Sequence, residues 1–202
     1  MEVVYGKIFT WIGRKRSLLS ALFGMIALLN VLWGKALPMD LDEPSSSPFF
    51  WIFWILLFTG VVIRIWAAGI IRKNSEVAKT GVYRMVRHPL YLGTLLIYLS
   101  FFLACGDMLL GIILFALMYF VVYYPRMLQE EKKLFAKFPG DYQRYMARTP
   151  RLVPKISLIP DAFRNSGFSL RRSYHNFGIR SLTLIVFLPL LCEVLHKVKG
   201  IE

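Results

Sequence analysis

Two short stretches of this chain combine residue types that can do chemistry. In the first, Gly81-Val-Tyr-Arg-Met-Val-Arg-His-Pro-Leu-Tyr-Leu-Gly93, Arg87 and His88 stand immediately before Pro89 and an apolar run. Proline suits the first turn of a helix, where its missing N–H leaves no bond unmade, so the string predicts a loop entering a helix at Pro89. Arg87 and His88 then lie at a helix amino terminus, whose N–H groups and positive dipole end favour an anion. Tyr91 and Gly93 fall within the first turn and a half, and Gly93 permits close approach of a ligand or of another helix. In the second stretch, Gln129-Glu130-Glu131, two carboxylates follow an apolar run where this basic chain otherwise places Lys and Arg. Each stretch also has a plainer reading. Tyr83, Arg84, Arg87, His88 and Tyr91 are residue types that anchor helices at a membrane surface, and Glu130 and Glu131 are spaced to pair with Lys133 or Lys137 along a solvated helix. Glu130 shares a helix face with Arg126 and Leu134, however, so one carboxylate can turn back towards the interior, and a juxtamembrane acid so placed is a functional candidate.

The elements that must position these residues are apolar runs. Of the 202 residues, 56% are hydrophobic, above the 45–50% or so of a soluble domain, and the excess is gathered into residues 18–37, 49–71, 90–105, 108–124 and 182–195. Crossing a bilayer core of about 30 Å takes roughly 20 apolar residues of helix. The expected fold is therefore all-α: a polytopic transmembrane helical bundle of about five spans. The second run is long enough outright. The third and fourth are short and separated by Gly106 and Asp107, which predicts a tight helical hairpin. The last run is the weakest, being short and holding Pro189 and Glu193. The first follows Arg14, Lys15 and Arg16, but it is too long for a signal peptide and no small-residue cleavage site follows it, so it reads as a retained span. Neither end carries a lipidation motif.

Lys and Arg set the orientation. Lys7, Arg14, Lys15 and Arg16 precede the first run. The loop 38–48 has neither Lys nor Arg and carries Asp40, Asp42 and Glu43. The loop 72–88 holds Arg72, Lys73, Lys79, Arg84 and Arg87, and further basic residues continue from Arg126 to Arg180. This alternation puts the amino terminus and both basic loops in the cytosol, together with both chemical stretches, and predicts a cytosolic pocket on a multi-pass protein of the plasma or inner membrane or the endoplasmic reticulum. Lys197 and Lys199 after the last run fit the alternation poorly. The net charge of +13 follows from the same pattern, because juxtamembrane cations attract anionic lipid; no nucleic-acid motif accompanies it. Cys105 and Cys192 read as small apolar thiols. His88, His175 and His196 are scattered, so no metal site is expected. The absence of a strand–GxGxxG–helix unit excludes a Rossmann-type methyltransferase or dehydrogenase domain.

Taken in order, Gly-Val-Tyr-Arg-x-Val-Arg-His-Pro-x-Tyr-x-Gly, a helical hairpin, Glu130-Glu131, Phe138-Pro-Gly-Asp-Tyr142 with Tyr145, and the closing Arg148-Thr-Pro-Arg-Leu-Val-Pro154 resemble the isoprenylcysteine carboxyl methyltransferase family, which is grouped with membrane phospholipid N-methyltransferases. The resemblance covers about residues 80–154. It implies S-adenosylmethionine as cofactor, held by Tyr83, His88, Tyr91, Gly93, Glu130, Glu131, Tyr142 and Tyr145, with the tail from Phe138 closing over it. The cofactor's ammonium suits Glu130 or Glu131, its carboxylate suits the helix amino terminus after His88, and its sulfonium favours tyrosine faces. Arg87 and Arg148 match the family's arginines near the acceptor, and either could grip a carboxylate in a bidentate fork. A carboxylate is already ionised at pH 7, so its methylation needs orientation and a dry site. O-methylation of a lipid or prenylated small molecule is favoured over N-methylation, for which Glu130 or Glu131 would have to accept a proton.

The chain departs from the family pattern at Pro139, which precedes Gly140 and lengthens the turn, at Thr149, and in the extension 155–202, of which 163–180 reads as an interfacial amphipathic segment. Three parts follow: 1–79 with the first two spans, 80–154 with the methyltransferase motifs, and 155–202. Two rivals differ in class. A membrane reductase using NADPH on an isoprenoid or sterol-like substrate would need more spans than fit here. A non-catalytic lipid-binding protein would leave the coincidence of Arg87-His88-Pro89 with Glu130-Glu131 without a reason. Nothing in the sequence sets the oligomeric state.

Overall fold

The computed structural model describes Leu22, Met25 and residues 48–72, 75–103, 108–164 and 166–177, and every regular element among them is helical. The apolar run at 49–71 forms α1 (Pro48–Ile70), 23 residues opened by a proline. Leu57 and Ala67 on one side are fully buried, yet Ile55 is 62% and Val62 is 59% exposed on the other. A helix apolar all round belongs in a core or a bilayer, and exposed aliphatic side chains on this scale fit lipid. After α2 (Val82–Met85) and α3 (Pro89–Leu103) come α4 (Met108–Leu117), a π-helical turn (Met118–Tyr123) and α5 (Tyr124–Lys137). The π turn stands just before Pro125, whose ring cannot make the usual helical bond and crowds the preceding turn; the Tyr124 N–H reaches back to the Tyr119 carbonyl instead. Leu109–Lys137 is one helical stretch of 29 residues, and with α1 it is long and apolar enough to cross a membrane. The fourth apolar run thus ends well before its helix does. α3 is shorter, at 15 residues. The expected spans at 18–37 and 182–195 lie outside the described residues, apart from Leu22 and Met25.

The chain divides into two compact units. The first comprises residues 1–58, 95–126 and 184–202. In it Phe53 meets Phe101 edge-on at 5.7 Å between ring centres, and Tyr98 stacks on Phe102 at 5.9 Å. Gly111 lies so close to the Phe102 carbonyl that a side chain there would collide with it.

The second unit comprises 59–94 and 127–183 and contains both chemical stretches. It adds α6 (Pro139–Arg148), a 3-10 turn (Ile156–Leu158), α7 (Ile159–Arg164) and α8 (Leu170–Phe177). Pro139 is the first residue of α6, so the added proline opens a helix. One apolar cluster joins Ala67 and Ile70 of α1 to Val82, Tyr83 and Val86, with Trp66 and Leu90 against it. A second joins Val77 to Tyr142 and Tyr145 of α6. Gly81 turns the chain into α2 at φ +57°, a left-handed conformation that favours glycine. The segment after α6 runs back along Met85–His88: the Arg87 and His88 N–H groups donate to the carbonyls of Pro150 (2.8 Å) and Arg151 (3.2 Å), and the Lys155 N–H donates to Met85 (3.0 Å).

The segment 166–177 completes the end of α1. Helices end with four carbonyls that lack an intrahelical partner. Here the Asn176 side-chain amide donates to Ala68 (2.9 Å) and Ile71 (3.0 Å), the Ser169 N–H donates to Gly69 (3.1 Å), and the Ser173 hydroxyl adds a bond to Ile65 (2.8 Å).

Candidate functional site

The buried centre of the second unit is the Glu131 carboxylate. Met127, Glu131 and Leu134 recur at helical spacing on the inward side of α5; Met127 is fully buried and Glu131 is 7% exposed. Glu131 Oε1 receives Arg87 Nη1 at 2.9 Å, His88 Nε2 at 3.1 Å and Arg151 Nε at 3.0 Å, while Oε2 receives Arg151 Nη2 at 2.9 Å. Arg151 therefore grips the carboxylate in a bidentate fork. Burying an ion is costly unless its partners surround it, and these partners come from two segments that the backbone pairing of 85–88 with 150–155 holds side by side. Glu130, half-buried, accepts a hydrogen bond from the Tyr91 hydroxyl at 2.6 Å. Both carboxylates thus meet the first turn of α3, where His88 and Tyr91 sit three residues apart with ring centres 5.6 Å from each other. Neither pairing is the one with Lys133 or Lys137 that a solvated helix would make.

The tyrosines divide by location. Tyr142 and Tyr145 pack in the second apolar cluster. The Tyr145 hydroxyl donates to the Tyr83 carbonyl at 2.7 Å, and Tyr142 lies near the Arg87 guanidinium. Burial, reinforced by the charge of Glu131, pushes the Tyr142 phenol up to about 12 against the pull of Arg87. Burial also raises Tyr83, helped by Glu130 and Tyr91, and raises Tyr145, helped by Tyr83 and Tyr142. All three phenols are neutral at physiological pH, so they can donate hydrogen bonds but cannot serve as bases.

At Gly93 α3 packs closely on α1: a Cβ there would lie 2.5 Å from Arg64 Cγ and 2.6 Å from the Gly60 carbonyl. Arg64 fastens the same crossing, donating to the Leu90 carbonyl and to the Thr94 hydroxyl. Arg148 is exposed on the last turn of α6, with its carbonyl taking a bond from Lys155 Nζ at 2.6 Å. The structure brings Arg87, His88 and Glu131 together with Tyr91 and Glu130 beside them, and it adds Arg151, which the sequence reading passed over as the spacer in Arg-Thr-Pro-Arg-Leu-Val-Pro. Arg151 lies three residues beyond Arg148; only the backbone pairing of its segment reveals which arginine turns inward.

Two buried polar atoms in this region have no hydrogen-bond partner: Tyr83 Oη and Arg87 Nε. Unbonded buried donors are costly and are natural contacts for a ligand. Among the described residues, no group of His, Cys, Asp or Glu is placed to hold a metal ion.

The paired carboxylates and the Arg-His-Pro helix start lie where this chain is similar to known proteins. Residues 52–136 match the model of the isoprenylcysteine carboxyl methyltransferase (ICMT) family. The resemblance read from the motifs is thereby shown from Gly81 through Glu131, and the matched region includes Arg87, His88, Glu130 and Glu131 but not Arg151. The chain is similar, at 33% identity over 119 residues, to the nickel-cobalt-cadmium resistance protein NccN of Alcaligenes xylosoxydans xylosoxydans, covering 54% of each chain. It is 31% identical over 117 residues to the cobalt-zinc-cadmium resistance protein CzcN of Cupriavidus metallidurans, covering 54% of this chain and 53% of that one. It is 30% identical over 118 residues to methanethiol S-methyltransferase 2 of Bradyrhizobium diazoefficiens, covering 52% and 44%. The chain spans about half the length of the curated relatives it matches. No solved structure matches it.

Proposed function

We propose that this protein is an S-adenosylmethionine-dependent membrane methyltransferase acting on a lipid-like acceptor at the cytosolic face. The observation that carries the reading is the convergence of Arg87 and His88 with Glu131, and of Tyr91 with Glu130, inside the region that matches the methyltransferase family. About five spans, with the site on the cytosolic side, complete the proposal.

The cofactor supplies an electrophilic methyl group on a sulfonium. Glu130, oriented by the Tyr91 hydroxyl, would hold its ammonium, and Arg87 Nε and the Tyr83 hydroxyl would donate to its polar groups. Tyr91 would offer an aromatic face to the sulfonium. Glu131 is saturated by Arg87, His88 and Arg151, so its part is to fix the directions of those three side chains. Gly93 sets the depth of α3 against α1, and Tyr142 and Tyr145 hold the α6 cap over the site. Arg87 from inside and Arg148 from the rim orient the acceptor. With Glu131 ion-paired to Arg87 and Arg151 and Glu130 given to the cofactor's ammonium, neither carboxylate is left to take a proton from the acceptor, which favours a nucleophile that is already anionic.

A carboxylate of the prenylcysteine type meets that requirement. A thiolate is the second reading, favoured by the relative named methanethiol S-methyltransferase 2; arginines beside a thiol lower its pKa and raise its thiolate fraction. Calorimetric titration of the detergent-purified protein with S-adenosylhomocysteine, with NADPH as control, tests the cofactor. Saturable binding of the first and none of the second is expected, and binding of NADPH alone would establish the reductase instead. Methyl transfer to a farnesylated cysteine compared with an alkyl thiol then decides between oxygen and sulfur.

A further inference from the structure

Within the extension beyond the methyltransferase motifs, α8 is built with its polar side inward. Along α8, Ser169, Ser173 and Asn176 recur at helical spacing, and these are the residues that bond the α1 carbonyls; Ser173 is completely buried. On the outward side Leu170 is 65% exposed and Tyr174 is 45% exposed, with Arg171 and His175 exposed beside them. The 3-10 turn and α7 share only the outward apolar side. Ala162 is buried on their inner side and Leu158 half-buried, whereas Ile156, Ile159 and Phe163, again at helical spacing, face outward; Ile156 is 70% exposed. Phe163 stacks one face on Trp66 of α1, 4.6 Å between ring centres, and still leaves most of its ring uncovered. Helices that turn hydroxyls and amides inward and aliphatic side chains outward are unfavourable in water, where each buried CH2 is worth about 0.8 kcal/mol.

We propose that this outward surface, formed by Ile156, Ile159, Phe163, Leu170 and Tyr174, seats in the headgroup–acyl boundary of the bilayer leaflet, with anionic phospholipid as its partner. Depth argues for the lipid. α8 is bonded to Ile65, Ala68, Gly69 and Ile71, the last turns of a helix of membrane-crossing length, so the extension stands at the level where that helix leaves the apolar layer. Charge argues for anionic headgroups. Residues 155–177 carry Lys155, Arg164, Arg171 and Arg172 against Asp161 alone, with Lys155 and Arg171 exposed beside the apolar side chains. A basic segment at a membrane surface gains about 1 kcal/mol per Lys or Arg from anionic lipid. An interfacial segment of this kind buries its apolar side a few ångströms into the leaflet while its cations meet the headgroups. The assignment does not rest on methyl transfer.

Nitroxide labels at Leu170→Cys and Phe163→Cys test it, in the full chain with Cys105 and Cys192 changed to Ser. Gln143→Cys on the exposed side of α6 serves as the aqueous reference. The protein is reconstituted in phosphatidylcholine vesicles with and without phosphatidylglycerol. Labels at 170 and 163 are expected to be relaxed by dissolved oxygen and shielded from a water-soluble nickel chelate, more strongly with phosphatidylglycerol, and the label at 143 to behave oppositely. Arg171→Gln should weaken the phosphatidylglycerol effect. Nickel access at 170 equal to that at 143 overturns the proposal, as does shielding from both reagents, the signature of a covering protein such as a second copy. An effect indifferent to phosphatidylglycerol overturns the anionic partner. If Phe163→Cys fails to fold, Ile156→Cys reads the same surface.

Discussion

The second unit contains two polar assemblies that each fasten distant stretches of chain, and they use opposite chemistry. Around Glu131, two arginines and a histidine converge on one buried carboxylate. At the end of α1, two serines and an asparagine satisfy backbone carbonyls with no charge at all. A neutral hydrogen bond contributes about 1 kcal/mol net, and losing one leaves a deficit of similar size. A buried ion pair contributes little net stability against an apolar alternative, yet removing one partner strands the others at considerable cost. The charged assembly is therefore a poor choice for stability alone and a sensible one for holding arginines and an imidazole in fixed directions. The neutral one is what a purely structural joint requires.

Glu131→Gln should break this contrast most severely. It leaves Arg87, His88 and Arg151 facing an uncharged amide, and a loss of about 3 kcal/mol in unfolding free energy is expected, together with loss of S-adenosylhomocysteine binding. Thermal unfolding in detergent and calorimetry read the two effects. A variant that kept both stability and affinity would deny Glu131 its central place.

The arginines sharpen the comparison. Arg151→Ala removes the bidentate fork and should weaken cofactor binding by about 2 kcal/mol, or roughly 30-fold, because Glu131 and the backbone segment beside Arg87 lose their register. Arg148→Ala should leave that affinity within twofold and lower turnover. If Arg148→Ala abolished binding while Arg151→Ala did not, the roles given to the two would be reversed.

Much of this was legible before any coordinates. The helix entry at Pro89, the inward turn of a carboxylate in Glu130-Glu131 and the long apolar helix at 49–71 all follow from residue type and spacing, because each is decided within one or two helical turns. What was not legible depended on segments far apart in sequence. Spacing suggested that Glu130 would turn inward, and it does meet Tyr91, but Glu131 is the more deeply buried because three cations from two other segments reach it. Tyr142 and Tyr145 read as cofactor residues within the motif, and their packing against Val77, more than sixty residues upstream, depends on a segment the motif does not include. Residues 163–177 read as an interfacial amphipathic segment, but their joint with α1 was not legible, since the carbonyls that Ser173 and Asn176 satisfy lie over a hundred residues earlier. Hydropathy also ended the fourth apolar run near Tyr124 although its helix continues to Lys137, because amphipathic α5 is helical without being apolar throughout.

Asn176→Ala tests the neutral joint. It unpairs the carbonyls of Ala68 and Ile71, and about 1 kcal/mol of stability should be lost, with cofactor affinity within twofold of the parent. A loss of affinity as large as that of Arg151→Ala would mean that the two assemblies are coupled, and the division between them would fall.

The smallest effect belongs to a charge pair of a third kind, exposed to water. Asp141 in the first turn of α6 meets Lys79 Nζ at 2.9 Å and Arg144 Nη2 at 3.3 Å. The hydrogen bond and charge of Lys79, with a smaller contribution from Arg144, hold its carboxyl below the usual carboxylate range. A depressed native pKa means that the pair stabilises the fold above the unfolded-state value, about 3.9, and that this contribution fades as the pH falls through the lower native value. Solvent screening keeps such pairs weak. Asp141→Asn should therefore lower the thermal midpoint only slightly at pH 7, less so in high salt, and the variant and parent curves should converge as the pH falls below the carboxylate range. A gap as large as that of Glu131→Gln would show that burial does not govern the worth of these charges, and the contrast between the two assemblies would lose its physical basis.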